Sequence, residues 1–187
     1  MKKILIIGFV WPEPTTTAAG TRMLQLIDVF KEHKFHVHFA STASKTSQSF
    51  DFSKNNISSS TIELNKNSFN EFIISLNPDI VLFDRFLTEE QFGWRVSESC
   101  PNTLKILDTE DLHFLRFARK NSFNKNLDLS DKLLFNDIAK REIASIYRCD
   151  ISLIISTYEM ELLKHTFKIN SNLLCYTPFL LDELKLK

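Results

Sequence analysis

The stretch KILIIGF, residues 3–9, is an unbroken apolar run rich in β-branched side chains. A strand that reads this way is buried on both faces, which is the habit of parallel sheets. The period then changes: Met23, Leu26, Ile27 and Phe30 fall at i, i+3, i+4 and i+7 within residues 21–34, one stripe of a helix. FHVHFAS at 35–41 alternates as a second strand, with His36 and His38 at solvent-facing positions rather than as metal ligands. Working outward, DIVLFD at 79–84, residues 104–108 and residues 151–155 predict three more strands, with short ones at 61–64 and 173–176.

Helical spacing fills the gaps between them. Phe69, Phe72, Ile73 and Leu76 share a face that stops at Asn77-Pro78. Thr88 with Gln91 reads as a capping box opening a helix that runs to about Cys100. Residues 111–120 and 157–166 predict two further helices. The longest is expected at 131–147, with Phe135, Ile138, Ala139, Ile143 and Ile146 inward and Lys140, Arg141 and Glu142 on the opposite face. Residues 44–60, rich in Ser and Asn, predict a flexible loop with at most a fragment of structure. Strand, helix and strand in alternation specify an α/β fold: a doubly wound, mostly parallel sheet of six or seven strands in a single domain spanning 1–187.

The bulk numbers exclude several classes of function. Lys+Arg and Asp+Glu are equal at 23 each, so no net field favours nucleic acid. Cys100, Cys149 and Cys175 lie outside any CxxC spacing, which fits a reducing compartment rather than a disulfide framework. The apolar run at 4–11 ends at Pro12-Glu13-Pro14 instead of a small-residue cleavage site, and no stretch nears the ~18–20 apolar residues that span a bilayer. A cytoplasmic protein is expected, with a peripheral station at the inner face of the membrane as its variant. G-x-G-x-x-G does not follow the first strand and no P-loop occurs, so no nucleotide cofactor is expected.

In an open parallel sheet, ligands sit beyond the carboxyl ends of the strands. Three such ends carry unusual residues. The loop VWPEPTTTAAGTR at 10–22 ends in Ala19, Gly20 and Thr21 and reads either as the wall of a sugar pocket or as a rigid connector. Asp84-Arg85 is an ion pair in waiting, for a ligand or for the loop itself. ILDTEDLHFLRFARK at 106–120 gathers Asp108, Glu110 and Asp111 at a helix start, with His113, Arg116 and Lys120 at helical spacing and Arg119 beside them. Carboxylates there are good helix caps. They also suit group transfer, with Asp108 or His113 orienting or deprotonating an acceptor hydroxyl and the cations holding phosphate oxygens. The expectation is that Asp108, His113 and Arg116 form one side of an open cleft.

PDIVLFDRFLTEEQFGWRV (78–96), KILDTEDLHFLRFAR (105–119) and ISTYEMELL (155–163) resemble bacterial GT-B glycosyltransferases of the retaining "group 1" type, and the likeness runs over nearly the whole chain. That resemblance implies two Rossmann-like domains facing across a cleft, an N-terminal one for the acceptor and a C-terminal one for the nucleotide-sugar, with no required metal. This chain corresponds to the acceptor side, and the donor domain has no counterpart in it. The resemblance places Ala19, Gly20 and Thr21 at the cleft, and Asp84, Arg85 and the 108–113 turn at the acceptor mouth. Ser156 and Glu159 match an S-x-x-E pattern near the domain junction. The family's first loop often has paired glycines, where this chain has Gly20 alone. The implied function is sugar transfer from a nucleotide-sugar to a glycan, lipid-carrier or other hydroxyl acceptor, with the isolated chain inactive until a donor-domain polypeptide is supplied. The alternative is a non-catalytic module that pairs with such a polypeptide.

Overall fold

A computed structural model describes residues 2–125 and 128–179 of the chain. Seven strands form one sheet in the order β3-β2-β1-β4-β5-β6-β7, and every pairing is parallel. They are β1 (Lys3–Gly8), β2 (His36–Ser41), β3 (Ser58–Thr61), β4 (Ile80–Asp84), β5 (Leu104–Asp108), β6 (Ile151–Ile154) and β7 (Leu174–Tyr176). The connecting helices are α1 (Ala18–Glu32), α2 (Asn67–Leu76), α3 (Arg85–Ser99), α4 (His113–Lys125), α5 (Asp131–Leu134), α6 (Asp137–Arg148) and α7 (Thr157–Glu161).

β1 shows why the sheet is covered on both sides. Leu5 and Ile7 join one core with residues of α2, α3, α4 and α6, while Ile4 and Ile6 join the other with Met23 and Ile27 of α1. All four are buried, and each such side chain contributes roughly 1.5–3 kcal/mol by leaving water. From β1 the chain winds outward through β2 to β3, then returns to β4 and continues the other way to β7. The reversal falls between β1 and β4, where the βα loops diverge and open a crevice.

Five local expectations are corrected. The short strand expected at 61–64 lies at Ser58–Thr61, inside the segment read as a loop, and a 3-10 turn at Phe52–Asn55 buries Phe52 in the α1-side core. This edge strand is nearly all serine, so it carries no apolar signal; its position is marked instead by His38, whose Nε2 lies 2.9 Å from Ser60 Oγ. Thr88 does not cap α3, which begins at Arg85 with Asp84 in the N-cap position. The Thr88 hydroxyl donates backward, to the carbonyls of Asp84 and Arg85 at 3.0 Å each. The helix expected at 131–147 is broken into α5 and α6 by Asn136, whose Oδ1 caps Ala139 N while Nδ2 donates to the carbonyls of Leu133 and Phe114. Phe135 falls in that break and is half exposed against Phe167, not buried. Glu142, expected on the solvent face, is fully buried.

Candidate functional site

A cleft of about 310 Å³ occupies the reversal point, lined by the loops after β1, β2, β4 and β5. Its outer wall is stitched together by side chains. Trp11 is buried, its Nε1–H donates to the Ala43 carbonyl at 2.7 Å, and Lys45 Nζ stands 4.4 Å from the ring centroid. Glu13 accepts from the hydroxyls of Thr46 (2.5 Å) and Thr16 (3.0 Å), and Phe50 N donates to the Pro12 carbonyl at 2.8 Å. Thr17 caps α1 through Gly20 N at 3.0 Å, so α1 starts three residues before the stripe suggested, and Ala19 and Gly20 sit on its first turn facing the cleft. A methyl group on Gly20 would fall 2.6 Å from the Glu13 backbone, which is why this close approach takes glycine.

The floor is acidic. Asp84, at the end of β4, accepts from Phe9 N at 3.0 Å through Oδ2, while Oδ1 faces Arg85 Nε at 3.6 Å. Arg85 has φ +72 and lays its guanidinium 5.4 Å from the Phe9 ring centroid. Glu110 has φ +62 and is 7 % exposed. Both are non-glycine residues in the left-handed region, a conformation that carries backbone strain. Burial, reinforced by Asp108 and Asp84, pushes the Glu110 carboxyl up to about 7. Burial against the pull of Arg85 raises Asp84 to about 6.

Asp108 does not emerge into the crevice. Its carboxylate has no exposure and accepts from Arg22 Nη2 at 3.1 Å; Arg22, equally buried on α1, also donates through Nη1 to the Pro178 carbonyl at 3.0 Å. The expected open wall of Asp108, His113 and Arg116 is therefore not formed. The Asp111 carboxylate lies 3.1 Å from Arg116 and 3.6 Å from His113 Nε2, and the His113 ring meets Phe86 edge-on; this trio stands outside the cleft lining. Burial and Arg116 push the His113 pKa below its ordinary value. Arg119 lies over the Tyr158 ring, and the Thr21 hydroxyl donates to the Pro14 carbonyl.

Ser156 and Glu159 are engaged in capping. The Ser156 hydroxyl accepts from Glu159 N at 3.1 Å. Glu159 Oε1 accepts from Leu112 N at 3.1 Å, and the two oxygens of Glu142 accept from His113 N and Phe114 N at 3.2 and 3.1 Å. Two carboxylates from α6 and α7 thus satisfy the first amides of α4, favoured further by the helix dipole. Of the sequence candidates, Ala19, Gly20, Asp84, Arg85 and Glu110 meet in the cleft, with Asp108 beneath them. Trp11, Glu13 and Arg22 lay within the loop quoted at 10–22 without being singled out, and Thr46 and Glu142 escaped the sequence reading as site residues. Glu142 had a visible signal, since it stands four residues from both Ile138 and Ile146 on the apolar stripe. Among the described residues no group of three or more His, Cys, Asp or Glu side chains is arranged to hold a metal ion.

The raised carboxylates give a prediction with a definite sign. Burial also lifts Glu142, up to about 8. In the unfolded chain these groups ionise near pH 4, so between about pH 4 and 8 the three carboxyls hold more protons in the folded state and their contribution to stability falls as pH rises, outweighing the opposite contribution of His38 and His113, whose pKa values burial lowers. Thermal unfolding should show a midpoint lower by roughly 5–10 °C at pH 8 than at pH 5. Glu142→Gln should flatten that slope; a slope of opposite sign would mean that the three groups are ionised in the folded protein throughout this range.

Comparison with solved structures fixes the fold. A sucrose-phosphate synthase from Thermosynechococcus elongatus matches with a TM-score of 0.64 at 14% identity, over 95% of this chain and 48% of its own. The lipopolysaccharide outer core galactosyltransferase WaaB, in its apo form, matches at 0.59 and 14% over 94% and 46%. A UDP-GlcNAc 2-epimerase from Methanocaldococcus jannaschii matches at 0.53 and 12% over 94% and 45%. No protein-family model and no curated sequence matches the chain. The chain has the Rossmann-like fold of one half of a GT-B protein and spans about half the length of the solved structures it resembles. No helix among the described residues is long and apolar enough to cross a membrane.

Proposed function

We propose that the chain is the acceptor-binding half of a glycosyltransferase and that the cleft between β1 and β4 holds the acceptor hydroxyl. One observation carries this reading: Glu110 is a buried carboxylate with a pKa near neutrality, on strained backbone, lining a cleft at the sheet's reversal point. A carboxylate so tuned accepts a proton at physiological pH. In transfer, the acceptor O–H proton passes to Glu110 as the oxygen bonds to the anomeric carbon. The bond from that carbon to the nucleoside diphosphate breaks, and the diphosphate leaves with the electron pair. Asp84 and Arg85 orient the acceptor, while Asp108, paired with Arg22, acts as a positioning residue. His113 is the second candidate proton acceptor, placed beside the cleft. The nucleotide-sugar comes from a donor-binding domain across the cleft, as in two-domain proteins of this fold.

The lining fits an acceptor better than a diphosphate, which needs several amides or cations focused on it. Arg85 is the one basic residue among the lining side chains, and it faces Asp84. Calorimetric titration of the chain with UDP-, GDP- and ADP-sugars should give no binding tighter than roughly millimolar. Micromolar affinity for any of them would mean that the cleft is a donor site and would overturn the assignment.

A further inference from the structure

The charge balance of the cleft narrows what it binds, given the acceptor reading above. Its ionisable lining consists of Glu13, Asp84 and Glu110 against Arg85. Arg85 is occupied by Asp84 and the Phe9 ring, and beneath the floor Arg22 and Asp108 offset one another. Even with Lys45 standing over Trp11 at the outer wall, the carboxyl groups outnumber the cations by one. Moreover, Glu110 Oε1 and Asp84 Oδ1 belong to side chains more than nine-tenths buried and have no hydrogen-bond partner. An ionised carboxylate only accepts, so whatever completes this floor must bring donors. A charged donor meets both needs, because charge-assisted hydrogen bonds are shorter and about twice as strong as neutral ones. A phosphate or uronate would set acceptors against acceptors.

We infer that the cleft selects a saccharide carrying a free, protonated amino group, with the ammonium held against Glu110 and Asp84. N-acetylation would remove the charge and two of the three donors, so an acetylated amino sugar should behave as a neutral one. The groups facing Glu110 are Asp108 from β5 and Asp84 from β4, which raise its pKa, and Arg85 and Arg22 from α3 and α1, which lower it. An ammonium ligand draws Glu110 into its ionised form, so binding should strengthen as pH rises through about 6 to 7.

The test is an NMR titration of the chain with the disaccharides of glucosamine, N-acetylglucosamine, glucose and galacturonic acid. The Trp11 indole N–H reports the cleft, and the exposed Trp94 serves as reference. The glucosamine disaccharide should bind about tenfold more tightly than the neutral pair, and the uronate most weakly. That advantage should shrink to about twofold in Glu110→Gln, with Asp84→Asn as a second variant, and persist in Glu71→Gln, an exposed site on α2. Equal binding of amine and neutral sugars, or preference for the uronate, overturns the inference while leaving the acceptor site standing. Loss of the preference in Glu71→Gln also overturns it, since surface charge would then be the cause. If no disaccharide moves the Trp11 signal, both readings fall.

Discussion

Arg22→Met should destabilise the fold by about 3–5 kcal/mol, because it leaves the Asp108 carboxylate buried without its partner. Both side chains are almost wholly enclosed, so water cannot replace the guanidinium, and Asp108 Oδ2 already lacks a hydrogen-bond partner. Burial raises the Asp108 pKa and Arg22 opposes that rise, so in the variant the carboxyl takes up a proton more readily. The penalty should therefore be larger at pH 8 than at pH 5. Arg22→Met combined with Asp108→Leu should recover much of the loss, since removing both charges is far cheaper than stranding one. Urea denaturation of the two variants measures this directly. A loss below about 1 kcal/mol in Arg22→Met would mean that the pair behaves as an exposed one.

Glu110→Gln should lower sugar transfer by about 10²–10⁴-fold when the chain acts with a donor domain, on the same polypeptide or in trans. Glutamine keeps the shape and one acceptor oxygen but cannot take the hydroxyl proton, so the loss should fall mainly on kcat. His113→Ala should cost less than about tenfold, because its ring packs on Phe86 beside Asp111 and Arg116, outside the cleft lining. Asp108→Asn is expected to act chiefly through stability and the Glu110 titration, moving the pH profile more than the plateau. Full activity in Glu110→Gln, or a His113→Ala effect as large as the one expected for Glu110, would move the proton acceptor to α4.

The central strands were legible because two-faced burial imposes an apolar run, as in KILIIGF and DIVLFD. The edge strand Ser58–Thr61 was not, since it buries little and draws its place from backbone pairing with β2. Similarly, Asn136 looked like one polar residue within a periodic stretch; two of its bonds are local, to Leu133 and Ala139, but the third, to the Phe114 carbonyl, exists only once α4 is packed nearby. At the site, strand-end position was enough to single out Asp84, Arg85 and Glu110. The division of labour among the acids was hidden. Whether Asp108 or Glu110 faces the cleft depends on a partner 86 residues away and on a backbone angle of +62, neither of which leaves a local pattern.

The grip of Arg22 has a mechanical side as well. One guanidinium holds the Asp108 carboxylate with one nitrogen and the Pro178 carbonyl with another. Residues 177–179, which carry the chain away from the last strand, are thereby latched to the same cation that offsets charge under the cleft floor. Tension on that exit segment would be borne by the same guanidinium that offsets the Asp108 carboxylate, so the anchoring of the chain beyond β7 and the charge balance under the cleft share one side chain.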